Sequence, residues 1–204
     1  VAIERVCRRL YERGLVAGPD GNVSVRLPDG SILVTPSGMS KVDVVPGDLV
    51  LVGPDGAVRD GRRSPSSELR MHLRIYARRA DVVAVVHAHP PTATGFAVAG
   101  ASFMAPVLPE VILQMGEVPI VPYATPGTDA LAECFDPYLD HHEAFLMANH
   151  GATTVGATLE LAHQRMESLE HAARIILSAR MLGRVNELSA ADVEALRASR
   201  EERE

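Results

Sequence analysis

Tryptophan is absent from these 204 residues, and there are only four phenylalanines and four tyrosines. The core must therefore be built from Val, Leu, Ile, Ala and Met. Cysteine occurs twice, at Cys7 and Cys134, with no partner at metal-binding spacing. Two isolated thiols make neither a disulfide framework nor a cysteine zinc motif, and they fit a reducing, cytoplasmic setting. Lysine occurs once, as Lys41. A formal net charge of −6 argues against a nucleic-acid-binding surface, which is usually basic. Long apolar runs are also missing. The most apolar stretch, residues 97–113, is interrupted by Pro106, Pro109 and Glu110, whereas a membrane span needs ~20 apolar residues. The first residues carry Glu4, Arg5, Arg8 and Arg9 on a helical pattern, not a signal peptide.

What is present centres on residues 81–91, DVVAVVHAHPP. The apolar, β-branched run 82–86 reads as a strand buried on both faces. Residues two apart in a strand point to the same side, so His87 and His89 stand together at its end. Pro90 and Pro91 stop the ladder. Such a pair suits a metal ion, or two half-buried histidines bonded to backbone carbonyls.

In chain order, Ile3, Val6, Leu10 and Tyr11 predict an amphipathic helix closed by Gly14 and Gly18. Short strands and tight turns follow over residues 21–59, with turn signals at Pro28-Asp29-Gly30, Pro46-Gly47-Asp48 and Pro54-Asp55-Gly56. Ser64 to Glu68 reads as a helix start, with serine capping, proline in the first turn and an acid at the positive end. Its apolar stripe is Leu69, His72, Leu73 and Tyr76. Helices are predicted over 92–99, 107–116, 128–136 and 159–182, and strands over 118–122 and 143–148. The tail, residues 190–204, is charged and helical if ordered. No repeat, linker or steady βαβ rhythm appears. The expectation is one α+β domain over residues 1–204, a three-layer αβα arrangement around a largely antiparallel sheet.

His87, His89 and His150, all at strand ends, make an open three-ligand site of the kind catalytic zinc occupies; Asn149-His150-Gly151 equally reads as a turn. A competing set on the last long helix, His163, Glu167 and His171, shares one face. It reads as a polar seam or subunit contact, because no rigid third partner is evident. Asn22, Ser37, Gly38, Ser66 and Ser67 lie in loops or at a helix start, where anions bind, and each alone also reads as a turn or cap. Glu68 either complements the helix dipole or, beside zinc, serves as a general base. Lys41 has the chemistry for a Schiff base, but nothing apolar nearby would depress its pKa.

Taken in order, Gly21-Asn22-Val23-Ser24, Thr35-Pro36-Ser37-Gly38, Pro65-Ser66-Ser67-Glu68, Val86-His87-Ala88-His89, residues 122–128 and Asn149-His150-Gly151 resemble the class II aldolase/adducin family. The branch most like this chain is the L-fuculose-phosphate aldolase group. The resemblance implies the αβα fold with an antiparallel sheet and a cyclic homotetramer with interfacial sites. It implies one Zn²⁺ per chain on His87, His89 and His150. Phosphate would be held by Asn22, Ser37, Gly38, Ser66 and Ser67, and Glu68 would be the acid/base. The implied activity is cleavage of a small ketose 1-phosphate to dihydroxyacetone phosphate and an aldehyde. The chain departs from that branch in two places. The segment Val107-Leu108-Pro109-Glu110 has no tyrosine where the fuculose enzyme supplies one, and no tyrosine follows Tyr138. Decarboxylase, dehydratase and 4-epimerase relatives share the metal pattern, although the epimerases carry Asp where Glu68 stands. Adducin-like binding domains have lost the site.

Overall fold

The computed structural model describes residues 2–102 and 106–201. The end of the charged tail, residues 202–204, lies outside the described residues. The elements, in order, are α1 (Ala2–Glu12), β1 (Asn22–Arg26), β2 (Ile32–Val34), β3 (Val50–Val52), β4 (Val58–Asp60), α2 (Leu69–Arg78), β5 (Ala84–Ala88), α3 (Pro91–Val98), α4 (Pro109–Gln114), β6 (Ile120–Val121), α5 (Asp129–Cys134), β7 (Ala144–Met147), β8 (Gly151–Gly156), α6 (Leu159–Met181) and α7 (Ala190–Glu201). The strands form one sheet in the order β4-β3-β2-β1-β5-β8-β7-β6. Every pairing is antiparallel except β6 with β7. This is an α+β fold with a largely antiparallel, mixed sheet between helical layers.

The alternation of the strands decides which layer each side chain meets. On β5, Ala84, Val86 and Ala88 pack with α1, α3 and α6, whereas Val85 packs with α2 and α5. On β7, Ala144 and Leu146 join the first core and Phe145 and Met147 the second. Both faces of the centre are buried, so these strands read as unbroken apolar runs. The two-residue spacing puts His87 on the α2 side.

One helix start differs from the sequence reading. Residues 64–68 are not helical. Ser66 N donates to Thr35 O at 3.1 Å and Ser37 N to Ser64 O at 3.0 Å, with Pro36 paired opposite Pro65. This strand-like pairing uses the backbone groups that a helical turn would need, so α2 begins only at Leu69, with Glu68 as its N-cap. Ser66 and Ser67 are thereby laid beside the 36–38 loop.

Phe145 is fully buried and packs edge-on to Phe135, with centroids 5.3 Å apart. Phe145→Ala should lower the unfolding free energy by ~3–5 kcal/mol. Urea denaturation checks this; a loss under about 1 kcal/mol would mean the core collapses around the gap.

Candidate metal centre and active-site cleft

Strand β5 stops at Ala88, and the His89 backbone N–H turns to donate to Leu15 O at 2.9 Å. That bond keeps His89 beside His87 after the ladder has ended. His150 comes from the β7–β8 turn, closed by His150 N donating to Met147 O at 3.0 Å. Asn149 takes φ 57° in that turn, a left-handed conformation asparagine accepts more readily than most residues. Glycine is required next: a Cβ on Gly151 would sit 2.6 Å from both Ala88 O and His89 Cδ2.

The three rings form a near-equilateral triangle, with centroids 5.0, 4.9 and 5.1 Å apart. Their ligand nitrogens lie within 4.8 Å of one another, the one such grouping of His, Cys, Asp or Glu among the described residues. His87 Nδ1 donates to Ala152 O at 2.9 Å, which leaves Nε2 with its lone pair free. Asp20 Oδ2 lies 3.4 Å from His89 Nδ1 and orients that ring similarly. Glu68 faces the triangle, with Oε2 3.1 Å from His87 Nε2 and Oε1 3.4 Å from His150 Nε2. Glu68 Oε1 and His150 Nδ1 are buried without a hydrogen-bond partner. Converging imidazole nitrogens beside an unpartnered carboxylate oxygen fit a divalent cation.

Burial alone would raise the Glu68 pKa. When His87 and His150 carry a proton, their charge and the His87 hydrogen bond, with the Asn22 amide, outweigh it and hold the carboxyl well below the usual range. Burial, then the charge of His87 and His150, pushes His89 down to about 4. Burial and His87 lower His150 too. Both shifts favour the neutral ring, the form that binds metal.

Glu68, His89 and His150 open onto a cleft of about 180 Å³ also lined by Asn22, Ser37, Gly38, Ser66 and Ser67. Every site residue expected from the sequence except His87, which lies fully buried behind Glu68, thus lines one cleft. Asn22 is partly committed: its Nδ2 donates to Glu68 Oε2 at 2.8 Å and its Oδ1 meets His72 Nε2 at 2.5 Å. One amide hydrogen remains for a ligand.

Lys41 corrects the sequence reading. It is 1% exposed, and burial lowers its pKa against the opposing charges of Cys7 and Asp20. Its Nζ donates to Pro19 O at 3.0 Å and Met39 O at 2.7 Å, tying together the two loops at the cleft. Its hydrogens serve a clamp, and it does not line the cleft. His163, Glu167 and His171 do not converge: His163 is fully buried with its Nδ1 3.6 Å from Glu167, while His171 is exposed. Glu110 is exposed on α4, away from this cleft. Sequence reasoning missed Asp20 and the polar role of His72, although the four-residue step from Glu68 to His72 was a signal for the latter.

The fold and the histidine triangle define an α+β protein with a three-histidine group that could hold a metal ion. The chain belongs to the Class II Aldolase and Adducin N-terminal domain family, whose sequence model matches residues 1–177. It is similar to 3-oxo-tetronate 4-phosphate decarboxylase of Escherichia coli K12, 35% identical over 176 residues, which is 84% of this chain and 82% of that protein. It is similar to 5-methylthioribulose-1-phosphate/5-deoxyribulose-1-phosphate aldolase of Rhodospirillum rubrum, 38% identical over 193 residues, 88% of this chain and 86% of that one. A solved L-fuculose 1-phosphate aldolase superposes with a TM-score of 0.90 at 30% identity, covering 97% of this chain and 93% of its own. None of the described helices is long and apolar enough to cross a membrane.

Two outcomes test the site. Elemental analysis of dialysed, untagged protein should find about one divalent cation per chain, lost in the His87→Ala/His89→Ala double variant. His72 is fully buried, and burial, then His87, pushes it from 6.5 down to about 3. The unfolded chain thus takes up a proton that the folded protein refuses. Stability rises with pH across that window and is lost as pH falls through it, at about 1.4 kcal/mol per pH unit for this group. Denaturation of metal-free protein across the window should show the slope, and His72→Gln should flatten it.

Proposed function

We propose that the protein is a zinc-dependent carbon–carbon lyase that cleaves a small ketose 1-phosphate to dihydroxyacetone phosphate and an aldehyde. The observation that carries this is a single carboxylate, Glu68, set between metal-binding histidines and a serine-lined cleft. The Rhodospirillum rubrum relative, named as an aldolase for 5-carbon ketose 1-phosphates, supports the substrate class. The assembly we infer with it is a homotetramer, in which a neighbouring chain completes the cleft.

Zinc held by His87, His89 and His150 supplies, when bound, a Lewis-acid charge for the oxygens of a hydroxy-ketone. The hydroxyls of Ser37, Ser66 and Ser67, the backbone at Gly38 and the remaining Asn22 hydrogen hold the phosphate. Fixing that end fixes how far along the substrate the reacting carbon lies, so binding is used for orientation. When the C3–C4 bond breaks, its electron pair stays on C3 as the enediolate and the C4 hydroxyl passes its proton to solvent water as it becomes the aldehyde. Glu68 delivers the proton to C3, and removes it in the synthetic direction.

One observation favours a second reading. Forming an aldehyde requires a base for the C4 hydroxyl proton, whereas losing CO₂ from a 3-oxo acid does not. Among the described residues, the one titratable group lining the cleft beside Glu68 and the ligand histidines is Asp20, which is turned to His89. Decarboxylation of a 3-oxo-tetronate 4-phosphate, the activity named for the Escherichia coli relative, leaves the same enediolate and the same product.

Glu68→Gln should retain its metal and slow solvent exchange of the C3 proton of dihydroxyacetone phosphate by ~10²–10⁴-fold. Unchanged exchange would remove Glu68 from the chemistry. Offering 5-deoxyribulose 1-phosphate and 3-oxo-tetronate 4-phosphate separately, and identifying acetaldehyde or CO₂ beside dihydroxyacetone phosphate, decides between the two readings.

A further inference from the structure

Behind Glu68 a line of buried polar side chains runs into the core. Strand β1 contributes Asn22 and Ser24, two apart on one face. The N-terminus and one face of α2 contribute Glu68, His72 and Tyr76, each four apart. Four helical residues advance ~6.0 Å and two strand residues ~6.7 Å. The two rows therefore stay in step, and their polar groups interdigitate. Asn22 Nδ2 meets Glu68 Oε2 at 2.8 Å, Asn22 Oδ1 meets His72 Nε2 at 2.5 Å, His72 Nδ1 meets Ser24 Oγ at 2.6 Å, and Ser24 Oγ meets Tyr76 Oη at 2.8 Å.

The chemistry of the groups settles the direction of every bond. A carboxylate only accepts, so the Asn22 amide nitrogen faces Glu68 and donates. The Asn22 oxygen is then left facing His72 and only accepts, so His72 Nε2 carries the hydrogen. His72 is fully buried and neutral, so its Nδ1 accepts, and the Ser24 hydroxyl donates to it. The Ser24 oxygen accepts from the Tyr76 hydroxyl, which has only a weak alternative, Val83 O at 3.5 Å. All four bonds point toward Glu68, and hydrogen bonds aligned this way polarise one another.

An asparagine amide alone can turn over and present its oxygen to the carboxylate, which would repel it. The hydrogen on His72 Nε2 prevents that turn. Ser24 and Tyr76 hold His72 in the tautomer that supplies the hydrogen. Apolar side chains would pack these fully buried positions without any need for partners, so a polar row here calls for a reason. The row ends on Glu68, the carboxylate that faces both His87 and His150 and lines the cleft.

We propose that His72 is a positioning residue: acting through Asn22, with Ser24 and Tyr76 behind it, it aims the Glu68 carboxylate at the reacting carbon. This rests on the reading of Glu68 as the group that moves the substrate proton.

The test compares wild type with His72→Phe, which removes the donor, and His72→Gln, whose side-chain N–H can reach the Asn22 oxygen. Each is assayed for exchange of the C3 proton of dihydroxyacetone phosphate, for kcat and KM, for metal per chain and for Tm. His72→Phe should lose ~10–100-fold in exchange and kcat, the scale of a misplaced catalytic group, with KM and metal content near wild type. His72→Gln should recover most of the loss. Wild-type exchange in metal-loaded His72→Phe overturns the proposal, as does an equal loss in both variants that tracks Tm. Should His72→Phe fail to fold, Ser24→Ala takes its place; exchange several-fold below wild type supports the row, and an unchanged rate overturns it. Nitrogen NMR of ¹⁵N-histidine-labelled metal-free protein reads the tautomer without any assay: hydrogen on Nε2 of His72 is expected, and hydrogen on Nδ1 overturns the proposal. A wild type that exchanges no proton defeats the functional reading instead, while the tautomer still tests the row.

Discussion

Two imidazole nitrogens that each present a lone pair repel at 3.1 Å unless a proton or a cation lies between them. His87 and His89 are held at that distance by the fold. His87 is pinned by its bond to Ala152 O, and His89 by the backbone bond to Leu15 and the carboxylate of Asp20. The antiparallel β1–β5–β8 core serves this one close approach. It puts His87 and the β7–β8 turn at the same end of the sheet and demands glycine at Gly151, where any side chain would strike His89. A second close approach, Gly21 against the backbone oxygen of His87, 2.8 Å from where a Cβ would stand, brings the Asp20–Asn22 loop onto the cluster.

A buried carboxylate, several buried histidines and a lone buried lysine are costly in an apolar interior. The structure offsets that cost locally. Glu68 sits among groups that attract its charge, so its carboxyl stays ionised despite burial. Lys41 meets two backbone carbonyls and draws the loops at the cleft together. The cleft rim is therefore made of short loops braced from below, and its serines are placed by backbone pairing between residues 35–37 and 64–66. The arrangement suits the small, phosphorylated substrate proposed for the cleft, whose far end would be held away from the histidines.

The strongest apolar runs and the three strand-end histidines were legible because their physics is local. Strand periodicity puts His87 and His89 on one side, and Pro90 and Pro91 end the strand. The helical face with Ile3, Val6 and Leu10 is buried as its spacing required. The start of α2 was not legible. Ser-Pro-Ser-Ser-Glu suits a helix N-terminus by local chemistry, yet pairing with a loop some thirty residues earlier in the chain overrides it. His72 was absorbed into an apolar stripe because spacing gives the face of a residue, not its partners.

Sequence alone determined the period of each long element, the side on which the histidines stand and which polar groups to look for together in one cleft. Those follow from backbone geometry and side-chain chemistry within a few residues. Only the tertiary structure decided that Glu68 faces the histidine triangle, that Lys41 is buried as a clamp and that Asn22 is shared between Glu68 and His72. Each depends on contacts between segments far apart in the chain, where burial sets the charge state and a neighbour's hydrogen sets the orientation.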